Sequence, residues 1–480
     1  MSTLPNGWEM VVGLEVHTEL KTQTKLFCGC ANAFGSEPNT NICPVCLGLP
    51  GSLPVLNEKA VEFAIRIGTA LNCVIQGSSF HRKNYFYPDQ PKDYQISQYD
   101  IPINGIGFLD LPDGTKVGIE RAHLEEDTGK TTHVGGSGRI HGSDESLVDY
   151  NRAGVPLVEI VSAPDIRSAE QARGYAAELR AILIASGASD GRMEEGSMRV
   201  DANVSVRKGS DAPFGTRCEI KNLNSLRSLQ RAVDFEALRQ IDLLEAGESI
   251  TQETRHWDED AGRTQTMRSK EEANDYRYFP EPDLVPINPT QAFIDEIARS
   301  LPAMPAQRRV ELIAQLGGDP TQAQRDQLMA AVELNVDSFI TGAIHAGVTP
   351  AIALARTANE LAALGDEIFS LPLDDYVALL KLEDAGALSA TQSKAVLADL
   401  VAAGGGDPAA LAKQRGFEKL DDGSLDGILD EIIAANPDEW RRYCEGDDKL
   451  TGFFTGKVMA ATKGQADGKA VNAALRTRKG

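Results

Sequence analysis

The chain has 480 residues, more than one hydrophobic core normally supports, so we expect two or three domains. Hydrophobic residues make up 42% of it, yet no apolar run is long enough to cross a bilayer, which excludes a membrane-spanning chain. The formal net charge of -22 repels polyanions, so contact with nucleic acid requires a local basic patch. The N-terminal residues lack the basic and apolar regions of a signal peptide, which predicts a cytoplasmic protein without structural disulfides.

The first predicted element is a strand over residues 11–20, in which apolar and polar residues alternate. Its apolar residues share one face, and Glu15, His17 and Glu19 share the other. Two carboxylates and an imidazole at this spacing can converge on a divalent cation. For any single row of this kind, the alternative is an ordinary solvent-facing sheet surface.

Four of the seven cysteines follow as two close pairs, Cys28 with Cys30 and Cys43 with Cys46. Zn²⁺ prefers closed tetrahedral four-cysteine sites in structural roles. The alternatives are reduced core cysteines or a redox pair, but two close pairs in a cytosolic chain favour a metal. The sequence therefore predicts a zinc knuckle that stabilises the fold.

Further polar rows lie between residues 122 and 207. An acidic stretch occupies residues 122–130, and Glu159 is a single carboxylate in an apolar strand, where a charge is costly unless it is paired. The polar face of the predicted strand 198–207 carries Arg199, Asp201, Asn203, Ser205 and Arg207. Carboxylates with one histidine suit Mg²⁺ or Mn²⁺, and nearby cations suit phosphate. Together the rows predict nucleotide-dependent phosphoryl transfer.

Two helices are predicted between and after these strands. A capping box at Ser168–Gln171 opens a helix that continues to about Ser186, and Gly187 ends it. A second helix opens at Asn224 and ends at Gly247. No serine or cysteine nucleophile motif is apparent, so nucleophilic hydrolysis is not expected.

The remainder of the chain is predicted to be helical. Four prolines between residues 280 and 289 end the mixed region, and a second break lies at 404–408. Residues 451–480 carry six lysines and arginines against one aspartate, a net charge of +5. This basic segment is either a frayed, solvated tail or a contact surface.

Eight short motifs occur along the chain in a specific combination. They are GLEVH (13–17), RKNYFYPD (82–89), YQISQ (94–98), HLEED (123–127), NRAGVPLVEI (151–160), MEEG (193–196), EIKNLNS (219–225) and DYRYFPEPD (275–283). Together they closely resemble the GatB family, the B subunits of tRNA-dependent amidotransferases. The helical remainder is similar in layout and in the ending FFTGKVMAATKG at 453–464.

The resemblance implies an α+β fold in three parts. A cradle-like mixed α/β catalytic domain would occupy residues 1–290, with the zinc knuckle inserted at 28–46. An all-α helical domain would follow over residues 291–405, and a small all-α tail domain similar to the YqeY family would occupy 406–480 and bind tRNA.

The resemblance also implies a reaction. ATP would phosphorylate the side-chain carboxylate of Glu-tRNA(Gln) or Asp-tRNA(Asn), and ammonia would then displace the phosphate. Glutamine hydrolysis by a separate amidase-type partner, the A subunit, would supply the ammonia, and a small C subunit would complete a heterotrimer. This chain has no credible Ser/Lys amidase centre of its own, in agreement with a protein that receives ammonia.

Position by position, the resemblance implies roles for individual residues. Mg²⁺ would lie near Glu15, His17, Glu125 and Glu159. Catalytic contacts are expected from Glu125, Glu159, Lys83, Arg152, Asp201 and Lys221, and nucleotide contacts from Arg199, Asn203 and Glu126, the last also as a second-rank metal ligand. The tail residues expected to bind tRNA are Lys457, Lys463, Lys469, Arg476 and Arg478.

Two other functions compete with this interpretation. A stand-alone ATP-dependent carboxylate-amine ligase for a small molecule would need neither tRNA nor a basic tail. A non-catalytic RNA-binding scaffold stabilised by zinc would leave the acidic rows as plain surface. The converging Glu/His pattern disfavours the scaffold, and the basic tail disfavours the small-molecule ligase.

Overall fold

A computed structural model describes residues 4–135, 143–269, 276–417, 422–462, 466 and 468–479. The chain divides into two compact units, Met1–Gln307 and Arg308–Gly480. The first unit is mixed α/β and the second is helical, so the predicted α+β fold class is confirmed. The three-domain boundaries at 290 and 405 stay predictions.

Strands and helices alternate irregularly in the first unit. The strands are β1 (Trp8–Glu19), β2 (Ser79–Asn84), β3 (Tyr94–Ile101), β4 (Gly107–Asp110), β5 (Lys116–Glu126), β6 (Lys130–Val134), β7 (Glu145–Asp149), β8 (Pro156–Ser162), β9 (Met198–Lys208), β10 (Cys218–Leu223), β11 (Glu253–Asp258), β12 (Arg263–Ser269) and β13 (Phe279–Pro280). The helices are α1 (Glu58–Ala70), α2 (Ala169–Ala185), α3 (Leu226–Glu245) and α4 (Gln291–Ser300), with a 3-10 turn at Pro5–Gly7.

The described strands form one large sheet and a two-stranded ribbon. The order in the large sheet is β12-β11-β10-β9-β1-β8-β5-β3-β2-β13, β4 pairs with β5, and β6 pairs with β7 in the ribbon. Helices α1, α2 and α3 contact β5, β1 and β9, and their buried side chains share one core with the apolar face of the sheet. The opposite face of the central strands carries the polar rows.

The alternation predicted for β1 is confirmed. Leu14, Val16 and Thr18 are fully buried, whereas Glu15 and His17 are only half-buried on the other face. The strand is flanked by β8 and β9, so both of its edges are hydrogen-bonded. A central strand with one apolar and one polar face is the pattern expected of a sheet covered by helices on one side only.

The predicted capping box of α2 is half right. Ser168 caps the helix by accepting a hydrogen bond from the Gln171 backbone N–H. The Gln171 side chain accepts from the Arg167 backbone N–H at 2.9 Å instead of from Ser168, so the reciprocal bond reaches one residue further back. Gly187 follows the helix with a φ of +75°, which a side chain at that position would strain. The second predicted helix begins at Leu226, and its cap is Ser225, not Asn224.

The helices that follow build two separate cores. They are α5 (Pro305–Gln315), α6 (Gln322–Glu333), α7 (Asp337–His345), α8 (Pro350–Ala355), α9 (Leu373–Asp384), α10 (Ala390–Ala403), α11 (Pro408–Gln414), α12 (Asp422–Ala435), α13 (Pro437–Cys444), α14 (Leu450–Ala461) and α15 (Gly468–Lys479), with a π-helix at Arg356–Leu361 and a 3-10 segment at Ala362–Ser370. One core draws its side chains from residues 312–412, and the other from residues 425–475.

The described helices range from 6 residues in α8 to 20 residues in α3. No single one of them is long and apolar enough to cross a membrane, and only α10 and α11 together, bent by 113° at their junction, reach the required length and composition.

Two glycines inside helices of the first unit give a matched stability test. A Cβ at Gly68 in α1 would lie 2.0 Å from Asn104 Oδ1, whereas a Cβ at Gly174 in α2 would meet nothing within 4 Å. Asn104 is buried and donates to the Ala64 carbonyl at 2.9 Å, so it has little freedom to move away. We predict that Gly68→Ala costs about 1–3 kcal/mol of stability through overpacking.

For Gly174→Ala we predict a gain of up to about 1 kcal/mol from helix propensity. Urea unfolding followed by circular dichroism compares both variants with the unchanged chain. Equal stability of the two variants would contradict the predicted steric conflict between a side chain at position 68 and Asn104.

Candidate active site and cysteine cluster

A cavity of about 370 Å³ lies on the polar face of the central strands in the first unit. Among the described residues, its charged lining consists of Glu15, Glu125, Asp127, Glu159, Asp201 and Glu219 with His17, Lys83, Arg199 and Lys221. Carboxylates therefore outnumber lysines and arginines in the lining, which favours the binding of cations.

Antiparallel register brings charged residues of the cavity lining together with His123. His17 on β1 lies opposite Glu159 on β8 and opposite Arg199 on β9. Glu159 in turn lies opposite His123 on β5. Side chains directly opposite each other on one face of a sheet have Cβ atoms about 4.5–5.5 Å apart. The register alone thus assembles residues that are more than a hundred positions apart in the sequence.

His17, Glu125 and Glu159 form a group that could hold a metal ion. One donor atom of each lies within 4.8 Å of the others. His17 Nε2 is 3.6 Å from Glu125 Oε1, and His123 Nε2 is 3.3 Å from Glu159 Oε2. Two carboxylates with one imidazole suit Mg²⁺ or Mn²⁺ better than soft metals.

Burial changes the proton affinities of this group. Desolvation, together with the negative charge of Glu159, raises the pKa of Glu125 to about 7. Desolvation lowers the pKa of His123 to about 4, so this histidine is neutral near pH 7. Burial also acts on Glu159, but its interactions with His123, His17 and Arg121 outweigh the burial and lower the pKa of that carboxyl. Glu159 is thus the carboxylate that stays ionised.

His123 lies directly behind the lining carboxylates Glu125 and Glu159, and the sequence reasoning missed it. Its side chain is fully buried, and neither ring nitrogen has a hydrogen-bond partner in the described structure. A signal was present, because Arg121, His123 and Glu125 repeat at every second residue along β5 as Glu15, His17 and Glu19 do along β1. The same alternation argument applied to residues 121–126 would have identified it.

Glu15 lies on β1 two residues before His17, next to the group that could hold a metal ion. Its Cα pairs with that of Asp201 on β9, and its carboxylate accepts a hydrogen bond from Asn203 Nδ2 at 2.9 Å. Burial, followed by the charge of Glu159, raises its pKa. The structure therefore places Glu15 in the cavity lining, held by Asn203, beside the group formed by His17, Glu125 and Glu159 and not within it.

Two of the predicted cations are held by carboxylates. Lys221 Nζ lies 2.9 Å from Asp201 and 3.0 Å from Glu219. Burial works against the charged amine, but these two carboxylates outweigh it and raise its pKa. Arg199 donates to Asp127 at 2.7 Å. Such pairing fixes where the positive charge lies but leaves less of it available to a ligand.

Arg152 and Lys83 differ in how their charges are engaged. Arg152 lies 3.4 Å from Asp127 and donates to the carbonyls of Thr128 and Gly129, so it braces the turn after β5. Lys83 at the end of β2 lies with its Nζ 4.7 Å from the ring centre of Tyr276. Among the described residues, no carboxylate lies within salt-bridge distance of Lys83 Nζ, so this ammonium is available for an anionic ligand.

The structure separates Glu126 from the other candidate ligands. Because side chains alternate along β5, Glu126 points away from the cavity that contains Glu125. It pairs with the buried Lys92 and accepts the Ile96 backbone N–H at 2.9 Å. These contacts describe a buried ion pair that joins β5 to the segment before β3.

The four predicted cysteines lie together. One sulfur of each of Cys28, Cys30, Cys43 and Cys46 lies within 4.8 Å of the others. A hydrogen bond from Cys28 lowers the pKa of the Cys46 thiol to about 5, while the same contact raises the pKa of Cys28. Four thiols gathered around one point are compatible with a structural Zn²⁺, which binds thiolates.

The cysteine segment is attached to the loop that precedes β8. Asn39 N–H donates to Asp149 at 2.9 Å, Asn41 N–H donates to Asn151 at 2.7 Å, and Leu26 N–H donates to the Gly154 carbonyl at 2.9 Å. This loop contains Arg152 and leads into the strand with Glu159. The order of the cysteine cluster is therefore coupled to the edge of the cavity.

The predicted tRNA-binding residues of the tail differ in their exposure. Arg476 is exposed on α15, and the ammonium of Lys457 on α14 lies over the ring of Phe453 at 5.2 Å. Arg478 is instead engaged by Asp426 at 2.7 Å and by Asp430 at 3.1 Å. Lys463 and the side chain of Lys469 lie outside the described part of the chain.

Comparison with known proteins now identifies the family. The profile of the GatB/GatE catalytic domain matches residues 10–295, which include the whole cavity lining. The chain belongs to the GatB/GatE family. A second profile, described as the GatB domain, matches residues 344–478 and so begins well before the predicted tail at residue 406.

Curated relatives of the GatB/GatE chain match it over nearly its full length. A protein of Frankia casuarinae is 50% identical over 98% of this chain and 96% of its own, and one of Carboxydothermus hydrogenoformans is 46% identical over 98% of both. A third, from Mycobacterium sp. strain KMS, is 50% identical over 96% of this chain and 94% of its own. Each of the three is named as the B subunit of an aspartyl/glutamyl-tRNA(Asn/Gln) amidotransferase. The predicted family is confirmed.

We predict that the cysteine cluster holds one Zn²⁺ per chain and that this metal orders the loop before β8. Cys43→Ser removes one thiolate ligand, so zinc content measured by mass spectrometry should fall at least tenfold. Amide hydrogen exchange in residues 149–154 should become faster, because Asn39 and Asn41 no longer hold that loop.

Cys444→Ser, at an exposed cysteine outside the cluster, is the matched control and should change neither quantity. If the Cys43 variant keeps its zinc, or loses zinc with unchanged exchange at residues 149–154, the proposed structural role is wrong.

Proposed function

We propose that this chain amidates mischarged tRNA, converting Glu-tRNA(Gln), Asp-tRNA(Asn) or both into Gln-tRNA(Gln) and Asn-tRNA(Asn). The observation that supports this most is the gathering of His17, Glu125 and Glu159 in a cavity lined also by Lys83, Arg199 and Lys221. Membership of the GatB/GatE family and the names of the relatives give the substrate class. ATP-dependent activation of the carboxylate is part of the proposal.

Activation is needed because a carboxylate is a poor acyl donor to ammonia. In the first step, an oxygen of the substrate side-chain carboxylate attacks the γ-phosphorus of ATP and ADP leaves, which gives an acyl phosphate. In the second step, ammonia attacks the acyl carbon and inorganic phosphate leaves. The surplus proton on nitrogen passes to a carboxylate of the cavity, and the products are an amide, ADP and phosphate.

Mg²⁺ suits the donor set of His17, Glu125 and Glu159, which offers hard oxygens and one imidazole. When bound, it would supply positive charge that offsets the negative charge of a transferring phosphoryl group. The neutral His123 lies beside Glu159, with 3.3 Å between its Nε2 and Oε2 of that carboxylate. Lys83, which has no salt bridge among the described residues, provides a cation for the substrate phosphate or carboxylate.

The partners follow from the same proposal. The chain would work in a heterotrimer with an amidase, the A subunit, which releases ammonia from glutamine, and with a small C subunit. Lys221, held between Asp201 and Glu219, lines the polar wall of the cavity and would contact ammonia or substrate there. The tail would bind tRNA through its phosphates and shape, because A-form RNA hides its major-groove base edges.

The decisive experiment measures amide formation on Glu-tRNA(Gln) and Asp-tRNA(Asn) with Mg-ATP and ammonium chloride, and then with the two partner proteins plus glutamine. Amidation that requires both ATP and the charged tRNA would support the proposal and reveal the specificity. Amidation of a free amino acid without tRNA would favour the small-molecule ligase. Binding of tRNA without any amidation would favour the scaffold.

We predict that Glu125→Gln and His17→Ala lower ATP-dependent amidation at least 100-fold, because each removes a donor from the group that would bind the metal. Both variants should also weaken Mn²⁺ binding, which electron paramagnetic resonance measures without turnover. Glu120→Gln is the control, since Glu120 lies on the same strand but is exposed. Normal amidation and normal Mn²⁺ binding by both variants would refute the assignment.

We predict that the double variant Lys457→Ala/Arg476→Ala weakens tRNA binding and lowers its salt slope by about two. Point variants are preferable to deletion of residues 451–480, because Phe454, Val458, Val471 and Leu475 in that segment are fully buried in the tail core. The control is Arg415→Ala, since the Arg415 guanidinium is already paired with Asp399. Filter binding at salt concentrations from about 50 to about 200 mM measures the slope. An unchanged slope would indicate that these residues do not contact tRNA.

A further inference from the structure

The cavity is built for charge and offers little surface to a nucleobase. Among its described lining residues, only Leu157 and Tyr276 have large apolar or phenol side chains, and the others are charged residues, a histidine and a glutamine. A nucleotide whose phosphate or acyl end occupies the cavity therefore needs a separate surface for its base. Tyr276 belongs to the lining, and its ring contacts that of Tyr278, which lies outside the lining, with 6.0 Å between centroids.

The aromatic contacts continue from Tyr278 to β3. The rings of Tyr278 and Tyr99 are stacked, with centroids 5.3 Å apart and planes 16° from parallel. Tyr99 remains 46% exposed despite this contact. Its ring also lies edge-on to His123, 6.3 Å between centroids, and the Arg121 guanidinium lies 4.8 Å from its centre. Both His123 and Arg121 contact Glu159, so the exposed ring is one residue removed from the lining of the cavity.

The segment that carries the two tyrosines after β12 is fixed before any ligand binds. The side-chain amide of Asn84 donates to the Tyr276 carbonyl at 3.0 Å and to the Arg277 carbonyl at 2.8 Å. The Asn84 backbone N–H donates to the Tyr276 carbonyl as well, at 3.0 Å. A surface that is already ordered loses little conformational entropy when a ligand stacks on it.

We propose that Tyr99 and Tyr278 form a stacking platform for the adenine base of a nucleotide whose other end lies in the cavity. The inference rests on the proposed function, which brings adenosine to this site from two sources, ATP and the 3′ end of tRNA. Exposed aromatic rings beside cations are the surface on which bases stack. Arg121 places positive charge at the platform, and Lys83 places it in the cavity lining beside Tyr276.

The test compares ligands with and without the base. Calorimetry measures binding of ATP and of inorganic tripolyphosphate to the full chain, and filter binding measures tRNA with and without its terminal adenosine. Tyr99→Leu and Tyr278→Leu should weaken one of the two adenosine-bearing ligands by about 5- to 100-fold. Binding of tripolyphosphate and of the shortened tRNA should stay unchanged, and the ligand that is weakened identifies the source.

Conservative and remote variants complete the design. Tyr99→Phe and Tyr278→Phe keep the ring and should bind like the unchanged chain. Phe214→Leu is the matched control, because Phe214 is also exposed and also lies under a guanidinium, that of Arg207, but outside the cavity lining. Unchanged binding of both adenosine ligands by the Leu variants would overturn the platform, as would equal weakening of ATP and tripolyphosphate.

These measurements separate the platform from the proposed function. If the unchanged chain fails to amidate tRNA but prefers ATP to tripolyphosphate through Tyr99, the platform stands and the amidation proposal falls. If amidation is normal in the Leu variants and binding is unaffected, the amidation proposal stands and the platform falls.

Discussion

The register of three central strands determines the position of the charged groups in the cavity. Strand β1 lies between β9 and β8, so His17 faces Arg199 on one side and Glu159 on the other. Because side chains alternate with a period of two, a slip of one residue would turn every member of these rows to the opposite face. The apolar residues of the same strands prevent such a slip, since it would expose them. Core packing and cavity chemistry are thus set by one constraint.

That constraint has an electrostatic cost. The sheet holds Glu125, Glu159 and Glu15 close together in a partly enclosed space, where like charges and desolvation both disfavour ionisation. Contacts with His17 and Arg121 offset part of this cost, and the part that remains raises the pKa of Glu125 to about 7. A bound cation would relieve the remainder. The same feature that destabilises the empty cavity therefore gives it affinity for a positively charged ligand.

Much of this arrangement could be predicted from local patterns, and the failures have physical reasons. Alternation identified β1 and the polar row of β9, and spacing identified the cysteine cluster. The buried His123 was missed because residues 122–130 were interpreted as an acidic stretch and not as a strand. The family resemblance placed Glu126 beside Glu125 as a second-rank ligand, although neighbours on a strand point to opposite faces. Pairings such as Lys92 with Glu126 depend on register between distant segments, which no local pattern contains.

The opposite directions of Glu125 and Glu126 also explain how the cysteine cluster influences a cavity that it does not line. Glu126 shares a small pocket with Cys28, Cys46 and Lys92 on one side of β5, while Glu125 lies in the cavity on the other. A buried ion pair has a high desolvation cost, so Glu126 and Lys92 must be held in good geometry by their surroundings. The cysteine segment provides part of those surroundings. We therefore expect ordering of the cysteine segment to restrain the end of β5, and with it Glu125, without any contact between cysteine and substrate.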